Sequence, residues 1–230
     1  MSKFYTYGVV WVLLLWLTAC SSKKYIPEGD YLYVKGEVEI ETDTIPEQYI
    51  KPLTEELEEL LRPKPNAQYL GMRPQLAIFN AVDSPRRENS LKGWLKYKIG
   101  EAPVLLSDVN REYNQNLLRN RLENLGFFNA EVTSDTSLSD WKAAVTYTAT
   151  PGIIYRIHSV TFETDSNDLG KAIQLNKEKS LLVEGRPFNL NNIILERERI
   201  DNELKNLGFY YFSPDYLLVE VDSSAHDHQV

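Results

Sequence analysis

The residue best placed to carry covalent chemistry is Cys20, the one thiol in the 230-residue chain. It follows Leu17-Thr18-Ala19 at the end of an apolar run that begins at Val9. A thiol in that position is a nucleophile for alkylation, and a single cysteine excludes an internal disulfide. Other chemistry-bearing types are scattered. His158 sits inside a strand-like run. His226-Asp227-His228 has His-x-His spacing, which on a turn reads as polar surface before it reads as a metal site. The chain contains no Ser with a positioned His and Asp, no Gly-rich phosphate loop and no His-Glu-x-x-His. The expectation is a non-enzyme with no catalytic residues, no metal and no cofactor; an envelope hydrolase with a cryptic site is the remote alternative.

Residues 1–19 have the parts of a secretory signal peptide: Lys3 as a positive start, an apolar core from Val9 to Leu17, and small residues before Cys20. The core is too short to span a bilayer. Leu17-Thr18-Ala19-Cys20 resembles the lipobox of bacterial lipoproteins. The resemblance implies cleavage before Cys20 and a diacylglycerol on its thiol, with acyl chains such as palmitate. An ordinary signal peptide that happens to hold a Cys is the other reading. A lone thiol in an oxidising compartment is a liability, which favours lipidation. Residues 20–29 then form the lipidated start and a linker: Ser21, Ser22, Lys23 and Lys24 make a polar leash, and Pro27-Glu28-Gly29 ends it.

The elements that follow must form a folded body, since 43% of the chain is apolar,. The net charge of -8 and pI near 5.1, with no evident basic stripe, argue against a nucleic-acid partner,. The organising signal is a repeat: NLGFF at 124–128 and NLGFY at 206–210, 82 positions apart. Upstream, Leu118 aligns with Ile200 and Leu122 with Leu204. Val109, Tyr113, Leu117, Leu118, Leu122 and Leu125 make one helical face, with Ser107 or Asp108 as N-cap. Leu190, Ile193, Ile200, Leu204 and Leu207 repeat the stripe. Each helix closes on Gly126 or Gly208, a position that favours positive φ.

An aromatic pair then opens a strand in each copy, 127–137 and 209–222, and 143–150 is the hairpin partner of the first. A further strand at 153–165 and a helix from Asn167 to Asn176 start the next unit. Earlier, 31–40 reads as a strand and Thr44-x-x-Glu47 as a capping box. Ile50, Leu53, Leu57, Leu60 and Leu61 form a helical face kinked or restarted at Pro52, opposed by a solvated run of glutamates at 55–59. Trp94 and Trp141 read as core or sheet packing. The predicted organisation is α+β: a degenerate unit at 30–98, a unit at 99–151, and a unit at 152–230 that lacks its final strand, as in the N-terminal part of a longer polypeptide.

The order strand-helix-helix-strand-strand, with Leu125-Gly126-Phe127 and Leu207-Gly208-Phe209 at the helix ends, resembles tandem POTRA domains of outer-membrane assembly proteins of the BamA/TamA type. With Cys20, the Tyr25–Leu32 segment and Gly100–Val104, it is similar to the lipidated TamL-like variant of Bacteroidota. The resemblance covers nearly all of the chain after Cys20. It implies helices on one face of a small mixed sheet, and a scaffold for membrane-protein assembly and translocation. It also implies localisation at the outer membrane, lipid-anchored at Cys20, with the domains in the periplasm. Its protein partners would be unfolded barrel precursors or a TamB-like subunit, taken up by strand addition at exposed edges. The candidate edges are 31–40, 127–136 and 216–222. No barrel strands occur here. A lipid-anchored binding or adhesion module is the alternative function.

Overall fold

The computed structural model describes residues 25–85, 87, 89–224 and 227–230; Cys20 and His226 lie outside them. The described chain is mixed α and β, with six α-helices and a three-stranded sheet. In chain order the elements are β1 (Leu32–Ile40), α1 (Glu47–Leu60), α2 (Pro74–Ala81), α3 (Leu91–Trp94), α4 (Arg111–Asn124), β2 (Glu131–Ser139), β3 (Lys142–Thr150), α5 (Asp168–Leu175) and α6 (Leu190–Asn206). Leu95–Ile99 continues α3 as a π-helical turn. Two compact units divide the chain: the described part of Met1–Val38 with Glu58–Asn114 and Ser134–Tyr147, and Glu39–Leu57 with Gln115–Thr133 and Thr148–Val230.

The sheet order is β1-β3-β2. β2 and β3 form a hairpin through Asp140-Trp141, with Asp140 at φ 53°. β1 runs parallel to β3: the Leu32 amide donates to the Trp141 carbonyl at 2.8 Å and that of Glu41 to Ala149 at 2.9 Å. The sequence reading sets 31–40 and 143–150 in different units, 30–98 and 99–151, and the structure makes them neighbours in one sheet. The reason is physical. A hairpin advertises itself by its turn, whereas parallel partners are joined by a long crossover with no local signature.

In the first unit the core holds Leu32, Tyr33, Leu76, Val145 and Tyr147, all at 0% exposure. Tyr33 fits because residue 36 is Gly; a Cβ there would meet the Tyr33 hydroxyl at 2.0 Å. Asn114, also fully buried, accepts from the Arg62 amide at 3.1 Å and donates to the Arg62 carbonyl and the Tyr147 hydroxyl, each at 2.8 Å. This joins the segment after α1 to β3 through groups whose hydrogen bonding is fully used, as a buried amide requires. In the second unit, Leu57, Leu118, Leu122 and Ala149 are equally buried. A separate cluster forms where Ala172 and Ile173 of α5 meet Ile200 and Leu204 of α6, with Phe162, Phe209, Phe212 and Leu217 against it.

Several local expectations are corrected. α4 begins at Arg111, and its cap is Asn110, whose side chain accepts from the Tyr113 amide at 2.9 Å. Ser107 instead donates to Asp30, and Asp108 accepts from the Leu105 amide. Thr44 forms no capping box; its hydroxyl donates to the Gly152 carbonyl at 2.8 Å. α1 continues through Pro52. Tyr113 and Trp94 are exposed at 55% and 51%, the latter at the end of α3. β2 starts at Glu131, because Phe127 and its neighbours close α4. The predicted strands 153–165 and 209–222 do not form ladders.

Candidate strand-addition edges

A main chain that is extended, solvated and unpaired binds through its own N–H and C=O groups. The question at each edge is therefore which of those groups are already spent. In the sheet β3 is central, and β1 and β2 are the edges. β1 is covered: the Tyr33 amide donates to the Val104 carbonyl at 2.9 Å, Leu32 bridges Leu105, Arg73 donates to the Val34 carbonyl at 2.8 Å, and the Glu58 carboxylate accepts from the Val38 amide at 3.1 Å. Glu58 lies in the glutamate run, so that run is more than a solvated face. β2 is less covered: Arg111 donates to the Thr136 hydroxyl at 3.2 Å and Ser134 also has a partner, but among the described residues no backbone–backbone hydrogen bond joins Glu131–Ser139 to a segment outside the sheet, and its side chains are mostly exposed. The less covered part of the 127–136 candidate is thus the part from Glu131 onward.

The second unit has a different geometry. Tyr155–Ile157 is paired on both sides. On one, the Phe188 amide donates to the Tyr155 carbonyl at 2.9 Å, and the Ile157 amide to the Arg186 carbonyl at 2.9 Å. On the other, Arg156 forms a parallel bridge with Gln229; its amide donates to the His228 carbonyl at 3.1 Å and the His158 amide to the Val230 carbonyl at 2.7 Å. Residues 228–230 thus run beside 156–158 in the sense in which β3 runs beside β1. Beyond that point backbone-to-backbone pairing stops, and the Phe162 carbonyl accepts from the Gln174 side chain at 2.6 Å. Among the described residues no backbone N–H of 159–165 or 218–221 donates a hydrogen bond. Phe162, inside the first stretch, and Leu217, just before the second, both pack on the α5–α6 cluster. Leu218, Val219 and Val221 are exposed at 85%, 41% and 43%.

The repeated motif positions these stretches. Gly126 and Gly208 have φ of 98° and 101°. In both copies the two closing bonds of a Schellman cap are present: Gly126 to Glu123 and Phe127 to Leu122, Gly208 to Lys205 and Phe209 to Leu204,. Leu125 is half-buried and Leu207 is 58% exposed. Cys20 and His226 are outside the described residues. His228, at φ 52°, lies 2.8 Å from Asp227 and packs its ring edge on Tyr155.

Carboxylates tie loops to these elements. Burial tends to raise the Glu196 carboxyl on α6, but hydrogen bonds from Arg199, the Leu181 amide and Ser180 outweigh it and hold the group below its usual value. The Glu37 carboxyl on β1 is held low by Lys35 and, against some burial, by Thr146. Sequence reasoning misses the buried polar residues: Asn114, Asn66, which links to Ala102 and Val104, and Lys96. Nothing in residue type or spacing distinguishes these from exposed Asn and Lys. No family model matches the chain, and no curated protein or solved structure matches it either.

Proposed function

We propose that this chain is a POTRA-type scaffold of an outer-membrane protein assembly or translocation factor, lipid-anchored at Cys20 on the periplasmic side, which binds extended segments by strand addition. The observation that carries the reading is the pair of stretches 159–165 and 218–221, whose amides donate no backbone hydrogen bond, with Phe162 of the first and Leu217 beside the second on the α5–α6 core. The order β1, α1, α4, β2, β3 supports it, because it is one strand-helix-helix-strand-strand unit with residues 61–104 set between its two helices. On this reading 32–150 is one POTRA-like repeat and 153–230 another, a division by chain order that differs from the two compact units. Recognition through main-chain bonds makes few demands on side-chain identity, which suits a receptor for varied barrel precursors or for an extended part of a TamB-like partner.

The test uses a labelled nine-residue peptide with the sequence of β3, KAAVTYTAT, as the extended probe. Fluorescence anisotropy is expected to show saturable binding to the full chain. Thr161→Pro and Val219→Pro each remove an amide that is unpaired in the free protein, so they leave the melting temperature near wild type and weaken binding by about tenfold or more. Binding that is absent, or equal in wild type and both proline variants, sinks the proposal.

A further inference from the structure

Between Leu61 and Gly100 the chain carries eight Lys and Arg residues against two acids, Asp83 and Glu88, a surplus of six positive charges in a protein whose total is -8. The whole-chain charge conceals this stretch. Lys64, Lys92 and Lys98 are exposed and form no ion pair among the described residues. The same stretch exposes large apolar side chains. Tyr69 and Met72 exchange backbone hydrogen bonds at 2.8 and 2.9 Å in a tight hairpin, with Leu70 at φ 48° and Gly71 at φ 80°. Such a turn favours Asn and Gly at both positions. Here Leu70 takes one of them at 98% exposure, and nothing in the fold requires an apolar residue there. Leu91, Trp94 and Tyr97 follow three residues apart along α3 and its π-helical continuation, exposed at 74%, 51% and 50%.

We propose that residues 61–100 form a docking face for the surface of an anionic phospholipid bilayer, with Leu70, Trp94 and Tyr97 entering the headgroup layer and Lys64, Lys92 and Lys98 facing lipid phosphates. Charge complementarity selects a polyanion, and exposed Trp, Tyr and Leu select a membrane interface among polyanions. Continuity with the start of the described chain points the same way. Lys96, 2% exposed, donates to the Tyr25 hydroxyl at 3.1 Å and to the Phe79 and Val82 carbonyls at 3.2 and 2.7 Å, and the Tyr25 and Phe79 rings meet at 5.5 Å. The chain therefore enters the fold on this segment. Cys20 is five residues upstream of Tyr25, within a reach of about 18 Å. Where Cys20 is lipidated, the acyl anchor and the basic aromatic face supply the two signals that stable membrane attachment requires. The docking itself depends on neither the anchor nor strand addition.

The experiment is vesicle flotation of the full chain carrying Cys20→Ser, so that no acyl chain contributes. Phosphatidylcholine vesicles are compared with vesicles that also contain phosphatidylglycerol. Residues 1–24, with Lys3, Lys23 and Lys24, are common to every sample, so the share of the rise that belongs to the face is the share the variants below remove. The expected result is a rise in partition of about tenfold or more on adding phosphatidylglycerol, diminished by salt. Lys92→Glu/Lys98→Glu returns it toward the neutral baseline and Leu70→Asp lowers it, each with an unchanged melting temperature and unchanged binding of the β3 peptide. The proposal is overturned if phosphatidylglycerol makes no difference, if the charge-reversed variant binds as wild type, or if a single-stranded oligonucleotide at equal phosphate concentration binds the face as tightly as the vesicles do.

Discussion

Gly126 and Gly208 take the same step in the same motif, yet their surroundings differ. Both have φ near 100°, where a Cβ is strained,. At Gly208 an added Cβ meets nothing within 4 Å, whereas at Gly126 it meets the Phe188 carbonyl oxygen at 2.7 Å and the Phe188 Cβ at 3.3 Å. Gly208→Ala is therefore a pure backbone change, expected to cost about 1–2 kcal/mol. Gly126→Ala adds a collision with main chain that is itself hydrogen-bonded to Tyr155. Its cost is expected to exceed that of Gly208→Ala by about 1–3 kcal/mol. Urea unfolding of the two variants measures the difference, and equal losses would mean that Phe188 yields freely and the motif acts through φ alone.

At the scale of elements, α6 holds the loop before it through Glu196. Arg199 donates to both Glu196 oxygens, at 2.7 and 2.9 Å, and to Glu203 at 2.9 Å, while the Leu181 amide donates to Glu196 at 2.9 Å. The Glu196 carboxyl is held below its ordinary value of 4.5, with burial opposing the shift and the hydrogen bonds prevailing. The sign follows from linkage. A depressed carboxylate contributes stability that is present above the unfolded value and lost as pH falls through the folded one. Wild type is thus expected to lose stability below about pH 4.5 more steeply than Glu196→Gln, which itself costs about 1–3 kcal/mol at neutral pH. Denaturant midpoints from pH 7 down to pH 3.5 check this; parallel curves for the two proteins would remove Glu196 from the acid limb. What the sequence makes legible among the elements follows the same logic of local bonding. The closures of α4 and α6 are written in Leu-Gly-aromatic because a Schellman cap is made by consecutive residues. The span of α5 is written in Asn167 and Asn176, and both residues flank the helix as its caps. The β1–β3 pairing, the cover over β1 and the buried Asn114 depend on residues far apart in the chain, and no local pattern records them. The strand-addition stretches are partly legible: 209–222 alternates like a strand, but alternation does not say whether a partner is present.

For the molecule as a whole, main-chain pairing is unequally distributed, and exchange kinetics are the direct readout of it. β3 has a neighbour on each side, and Val145, Tyr147 and Ala149 on it are at 0% exposure. Opening their amides requires loss of the sheet, so they are expected to exchange at the rate set by global unfolding. The second unit contains a well-packed pair of helices, yet 159–165 and 218–221 donate no backbone hydrogen bond. Phe162, whose carbonyl also accepts from Gln174, and Leu217 beside the second stretch are held by contacts that use no amide of either stretch, and such contacts do not protect an amide from exchange. Native-state hydrogen exchange read by mass spectrometry should therefore place three tiers in one protein: β3 slowest, α5 and α6 intermediate, and 159–165 and 218–221 at nearly unprotected rates. Addition of the β3 peptide should move only the last tier toward protection. Slow exchange at 218–221 in the free protein would mean that those amides are already paired, and the capacity to accept a strand would then rest on the β2 edge alone.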